Sequence, residues 1–238
     1  MQINLSQIKS FRLFLCLTVI AYIPVRAQDS PVERYLIQVG DHAEIYNGPL
    51  ETAYNPLQFE NLPYYENADF TEASIIYRNN YYPNQKVRLD LFKEQLILLA
   101  PGKLYGIVLS FQNMNKVYMY HKTFVRLVPP KESGLKNGYY MQLYEGKKIQ
   151  LFCKESYVVQ PKDVVYYFER KIRYYLLYND RYYPVKKTDS FSKIFPQYKK
   201  QIHKFSKEHK LNFSQDKDKS LNSLAEYCEE LLRLQDTP

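Results

Sequence analysis

The chain contains no tryptophan, and only 7 glycines, 3 cysteines and 4 histidines in 238 residues. Each shortage removes a class of function. Glycan platforms are commonly built on tryptophan rings, and none can be built here. Phosphate loops need clustered glycines for close backbone approach, and the few glycines are scattered. No His-Glu-x-x-His segment and no Cys-x-x-Cys pair occurs, so the usual zinc spacings are missing. There is no Gly-x-Ser-x-Gly elbow. Ser190-Phe-Ser-Lys193 has a bare Ser-x-x-Lys spacing without supporting boxes and reads as a helix start. Beyond residue 27, no apolar run approaches the roughly 20 residues of a membrane-spanning helix.

What is present begins with a leader. Lys9 and Arg12 precede the apolar run Leu13 to Ile23, Pro24 breaks it, and Val25-Arg26-Ala27 offers a cut before Gln28. Residues 1–27 therefore read as a cleavable signal peptide for export. The run is about half the length of a membrane anchor. Phe14-Leu15 before Cys16 are too bulky for a lipoprotein site. Cleavage removes Lys9, Arg12 and Arg26 and no acid, which lowers the net charge from +8 to +5. Residues 28–238 can bury a substantial core without a disulfide scaffold. Cys153 lies in a predicted strand and Cys228 on the apolar stripe of a predicted helix. Both read as small buried hydrophobes, with a disulfide between them as the alternative.

Aromatic content is the second feature. The chain has 25 Tyr and 13 Phe, which favours strands. Six Tyr-Tyr neighbours occur, at 64–65, 81–82, 139–140, 166–167, 174–175 and 182–183. Neighbours on a strand point to opposite faces, so each strand-borne pair puts a ring on both sides. Strands are expected at Ser74–Tyr77, Leu96–Leu99, Ile107–Phe111, Val117–His121, Thr123–Val128, Tyr139–Tyr144, Lys148–Phe152, Val164–Phe168 and Arg173–Tyr178. Ile76–Pro83 and Leu177–Pro184 share one pattern: apolar, Tyr, three polar residues, Tyr-Tyr-Pro. One hairpin solution used twice explains the echo better than a duplicated ligand-contact unit. These strands are shorter than those of an outer-membrane barrel, and two amphipathic helices follow them.

The helical tail starts near Asp189 or Ser190, either of which can cap a helix. Pro196 opens a second helix with the stripe Tyr198, Ile202, Phe205, His209. The last helix sets Leu221, Leu224, Ala225, Cys228, Leu231 and Leu232 against an acidic face of Glu226, Glu229 and Glu230. Residues 186–210 hold the basic surplus: eight Lys against Asp189 and Glu208. Lys199, Lys200, Lys204 and Lys207 form the candidate binding surface, a peripheral contact for an anionic membrane or acidic partner. An ordinary solvated face is the plainer reading. Export argues against nucleic acid as the partner.

Catalytic residues are not assigned. His42 beside Asp41 could be an oriented base, although Asp-His-x-Glu also suits a solvated turn. His121 reads as a packed strand residue. His203 and His209 fall on different sides of a helix. Glu66, Asp69 and Glu72 lack the glycine turn of a calcium loop. No metal or cofactor is implied.

Leu143-Tyr-Glu-Gly146, Leu177-Tyr-Asn-Asp-Arg-Tyr-Tyr-Pro-Val-Lys186 and Lys210-Leu-Asn-Phe213 give residues 74–235 a familiar look. The chain resembles uncharacterised tyrosine-rich exported proteins of Gram-negative bacteria. The resemblance implies an envelope location, and no activity or functional residues. The expected fold is α+β. A mostly antiparallel sheet, a sandwich or open barrel of hairpins, occupies 28–188, and amphipathic helices over 189–238 pack on it. The expected function is a non-enzymatic binding or accessory module contacting an envelope protein or polymer, in the periplasm or envelope or outside the cell. A hydrolase of envelope polymers and a membrane-surface protein are the alternatives.

Overall fold

Two-residue turns make half of the hairpins. The computed structural model describes residue 34, residues 44–102 and residues 104–235. Arg78-Asn79, Tyr120-His121 and Asn179-Asp180 each place two successive residues at positive φ, between 48° and 64°. This is the turn whose twist matches paired strands. Asn, Asp and His accept it more readily than other residues; Arg78 and Tyr120 do not, and each is held by a tertiary contact. Arg78 pairs with Glu44, and Tyr120 packs edge-on against Tyr65. The two copies of the echo are the same device: Tyr77 pairs with Asn80, and Tyr178 with Arg181.

The strands are β1 (Thr71–Tyr77), β2 (Asn80–Asp90), β3 (Gln95–Leu99), β4 (Gly106–Val108), β5 (Met114–Met119), β6 (Lys122–Leu127), β7 (Gly138–Glu145), β8 (Ile149–Lys162), β9 (Val165–Tyr178) and β10 (Arg181–Val185). Three helices follow: α1 (Thr188–Ile194), α2 (Lys199–Glu208) and α3 (Lys217–Gln235). The sheet order is β10-β9-β8-β7-β6-β5-β1-β2-β3-β4. Every pairing between strands is antiparallel. Only the step from β4 to β5 leaves the nearest-neighbour path. The α+β expectation holds, with one curled sheet in place of a two-sheet sandwich. Glu94, in the β2–β3 turn, reaches across the curl to accept a hydrogen bond from the Tyr139 N–H of β7 at 2.8 Å.

Several expected boundaries move. β9 is one strand, where two short ones were expected, because its whole length pairs with β8. β8 and β9 each have 14 residues, so strand length does not separate this chain from an outer-membrane barrel. β4 is cut to three residues, and Phe111–Asn113 form a 3-10 turn. His121 sits in a turn and not in a strand. The first turn of α1 is capped by neither Asp189 nor Ser190 at its N-terminal position, which is Lys187. Instead Ser190 Oγ accepts a hydrogen bond from the Lys186 N–H at 3.1 Å, while Asp189 pairs with Lys187 at 2.9 Å.

The inner face of the sheet and the helices share one core. Leu151, Cys153, Leu176 and Val185 pack with Phe191, Phe195, Ile202, Leu221, Leu224 and Cys228. A smaller cluster of Val125, Tyr140 and Phe152 covers part of the outer face. Tyr139 and Tyr140 therefore bury on opposite faces, as strand alternation requires, each 1% exposed. Burying side chains of this size stabilises the fold by about 2–3 kcal/mol each. Cys153 and Cys228 are both buried free thiols, the first of the two readings left open by the sequence. Among the described residues, no helix is long and apolar enough to cross a membrane.

Glu229 overturns the acidic-face expectation. It is 4% exposed. Its carboxylate accepts hydrogen bonds from the N–H groups of Lys147 (3.0 Å), Lys148 (3.1 Å) and Ile149 (2.9 Å) in the β7–β8 connection. Three consecutive donors converge there, and a charged acceptor satisfies them. A Cβ on Gly146 would meet the same carboxylate, so the turn must be glycine to let α3 approach. Glu229→Ala strands the donors and should cost about 3 kcal/mol in urea unfolding. Glu226→Ala, on the exposed face, should cost under about 0.5 kcal/mol. Equal losses would show that the carboxylate holds nothing.

Candidate functional site

Most charged side chains inside the curl are already committed to protein partners. Residues 48–64 form a strap between the two ends of the sheet. It bonds β4 through Val108 N–H to Pro49 O and Glu51 N–H to Gly106 O, both 2.9 Å. It bonds β9 through Tyr166 N–H to Gln58 O at 2.8 Å and Glu60 N–H to Tyr166 O at 2.9 Å. The Asn61 side-chain amide then mimics a strand residue, giving Nδ2 to Phe168 O (2.9 Å) and taking Phe168 N–H (2.7 Å).

Beneath the strap, Arg88 pairs with Glu51, which also accepts from the Tyr64 hydroxyl at 2.8 Å. The Tyr54 hydroxyl donates to Asp90 at 2.7 Å, and Lys93 lies 4.1 Å from the Tyr54 ring centre. Lys154 pairs with Glu94 at 2.5 Å and donates to Tyr139 O at 2.9 Å. Arg170 grips Glu155 through two bonds of 2.6 Å. Burial raises the Asp90 and Glu94 carboxyls and lowers the Lys154 ammonium. All three shifts have the same cause, the removal of charge from water. Glu94 with Lys154 ties the β2–β3 turn to β8 across the curl, whereas Glu155 with Arg170 pairs the adjacent strands β8 and β9.

The sequence candidates scatter. His42, with Asp41, lies outside the described residues. His121 faces an open groove of about 800 Å³ with Glu72, Tyr118 and Lys122. His203 is 3.7 Å from Asp189, and His209 stacks on Phe205 at 4.0 Å. Among the described residues, no group of three His, Cys, Asp or Glu side chains could hold a metal ion. Lys199, Lys200, Lys204 and Lys207 are all exposed on α2, with Lys204 only loosely paired to Glu208 at 3.8 Å.

The structure assembles a different site. β10 has 5 residues against the 14 of β9, and its last pair is Val185 with Tyr174. The chain then turns into α1, which leaves a cleft of about 500 Å³ beside β9. Tyr174, Tyr175 and Tyr182 supply its aromatic wall, and Arg173, Lys186 and Lys217 its cations. The loop Ser133–Leu135 forms its rim, bent by Gly134 at φ 68°.

Each ring is held. The Tyr174 hydroxyl donates to Asp218 at 2.6 Å, and Lys217 lies 5.0 Å from the same ring centre. Tyr175 meets Tyr140, and Tyr182 meets Phe152. Burial, and then the bond to Asp218, raises the Tyr174 pKa, so this phenol stays neutral and a donor. None of the three cations is ion-paired among the described residues. Rings, hydroxyls and free cations in one concavity suit an anionic ligand with flat or extended parts.

The Tyr174-Tyr175 and Tyr182-Tyr183 pairs were visible in the sequence. The convergence of Tyr174, Tyr175 and Tyr182 on one cleft, and the arrival of Lys217 from α3, were not. Comparisons with protein-family models, curated proteins and solved structures find no match to this chain. The likeness to tyrosine-rich exported proteins rests on the quoted motifs alone.

The core beneath the cleft makes an alkaline prediction. Burial, the largest cause for both groups, pushes the Cys153 and Cys228 thiols from 9.0 up to about 12. The unfolded chain releases these protons near pH 9 while the folded chain keeps them. Their stabilising contribution is full below pH 9 and is lost as pH rises toward 12. Raised tyrosines such as Tyr174 act in the same sense above pH 10. The urea midpoint should fall steadily from pH 9 to 11, and both thiols should resist a disulfide reagent at pH 8 until the chain unfolds. Rapid native labelling at pH 8 would contradict the burial.

Proposed function

We propose that this chain is an exported, non-enzymatic binding or accessory module of the cell envelope, and that the cleft beside β9 is its contact surface. The observation that carries the reading is the cleft itself: three tyrosines and three cations, without an ion pair among the described residues, converge where β10 stops short. Most charged side chains inside the curl are bound to protein partners. The apolar run Leu13 to Ile23 and the small-residue cut before Gln28 support export. An acidic envelope polymer or protein is the complementary partner.

The chain produced in a Gram-negative host should be recovered from the periplasm or envelope with Gln28 as its first residue. It should co-sediment with isolated envelopes and be released by salt. Reversing both charges with Lys186→Glu and Lys217→Glu should lower the bound fraction at least fivefold. Retention unchanged by this double variant removes the cleft from the reading, and absence of retention overturns the binding reading.

A second reading has one observation in its favour: Lys199, Lys200, Lys204 and Lys207 are all exposed on a single short helix. Such a face attracts anionic lipid, at about 1 kcal/mol for each basic side chain near the surface. Vesicles containing phosphatidylserine should then bind the chain at low salt and lose it at physiological salt. Neutral vesicles binding equally well would remove this reading.

A further inference from the structure

The pairing pattern of β9 leaves a gap at the cleft. β8 and β9 are joined by a two-residue connection that pairs Lys162 with Val165, and their register runs unshifted to Ile149 with Tyr178. In an antiparallel ladder, alternate residues direct both backbone groups to the same neighbour. The even-numbered residues of β9 therefore face away from β8. Tyr166 and Phe168 meet the strap there. Tyr174, Leu176 and Tyr178 meet β10. Arg170 and Ile172 have the same parity and, among the described residues, no partner on that side.

Both flanking segments stop for a chemical reason. The strap reaches Pro63, which has no N–H, and departs as Pro63 O accepts the Leu91 N–H at 2.9 Å. Beyond Val185, the Lys186 N–H is taken by Ser190. The opening from Phe168 to Tyr174 spans about 20 Å, room for roughly three to five extended residues. Arg173, Lys186 and Lys217 stand at one end of it. A second copy of this edge would bring like charges together, whereas an acidic strand would not.

We propose that this open stretch of β9 takes an extended acidic peptide as an added strand. Backbone bonds form at Arg170 and Ile172, and Arg173, Lys186 and Lys217 receive the peptide's carboxylates. The inference rests on the reading of the chain as a binding module and names the chemistry of its partner. Backbone bonds would supply affinity and the cations selectivity, as in strand addition generally.

The probe is a labelled hexapeptide of alternating Glu and Val, titrated into the purified exported chain and followed by anisotropy and amide hydrogen exchange. Binding should slow exchange at Arg170 and Ile172 at least tenfold and leave Lys171 and Arg173, already bonded to β8, unchanged. N-methylation of alternate peptide residues should weaken binding at least tenfold, as should Ile172→Pro, which removes a donor that serves only the open side. The Lys-Val counterpart should not bind. No binding of the Glu-Val peptide, or binding indifferent to N-methylation with exchange unchanged, overturns the proposal. So does protection that grows with protein concentration alone, which would make a second copy the occupant. If Ile172→Pro fails to fold, the exchange pattern and the N-methylated peptide decide. An acidic oligogalacturonate that binds in a Lys217-dependent way while the peptide does not would end strand addition and leave the binding-module reading standing. If neither binds, strand addition falls, and retention on isolated envelopes decides the binding-module reading separately.

Discussion

The unpaired backbone at the ends of an open sheet is the constraint on which this structure depends. A ten-stranded sheet that does not close on itself leaves two rows of N–H and C=O groups to satisfy. The chain before β1 answers at both ends. One part of the strap lies along β4, and another lies along the exposed half of β9. Asn61 serves because its side-chain amide has the donor and acceptor of a peptide group. Where strap and β10 both fall short, two residues of β9 stay open among the described residues, and the tyrosine-and-cation cleft lies against that opening. The candidate site is thus a by-product of how the edges are covered.

The helices extend the same logic to a turn. The β7–β8 connection turns three N–H groups toward α3, and a helix with only apolar residues on that face would leave them buried and unbonded. Glu229 resolves the conflict from between Cys228 and Leu232, both of which face the core. The arrangement fixes how closely α3 can sit on the sheet. It also fixes Asp218, which holds the Tyr174 hydroxyl at the cleft, and Lys217 beside it. The geometry of the cleft therefore depends on a contact at the far part of the same helix.

Charge is spent in two ways. Inside the curl, Glu51 with Arg88, Glu94 with Lys154 and Glu155 with Arg170 are paired. Breaking one member of the buried Glu51–Arg88 or Glu94–Lys154 pair leaves an uncompensated charge, so these two pairs specify how the curl is arranged more than they add to its stability. At the cleft and on α2, lysines and arginines remain in or near solvent and, among the described residues, only Lys204 has a carboxylate partner, the exposed Glu208. That separation marks where this molecule can meet an anion.

The sequence by itself determined the local elements. The hairpins at 78–79 and 179–180 were legible because Asn-containing and Asn-Asp turns sit between tyrosines, and the apolar stripes of α2 and α3 follow the helical period. It also placed Cys153 and Cys228 on apolar faces and so in the core, and left to the structure that they stay unpaired. Tertiary structure alone decided the rest. β9 reads as two strands in sequence because Glu169-Arg-Lys171 interrupts the apolar pattern, yet pairing with β8 carries it through. His121 reads as a strand residue, yet the β5–β6 register puts it in a turn. Glu229 reads as solvent-facing beside Glu226 and Glu230, yet the backbone donors it satisfies come from eighty residues earlier. The cleft joins residues from β9, β10, a loop and α3, and no periodicity encodes such a meeting. Local pattern reports which face of an element is apolar; only the fold reports which other element arrives there.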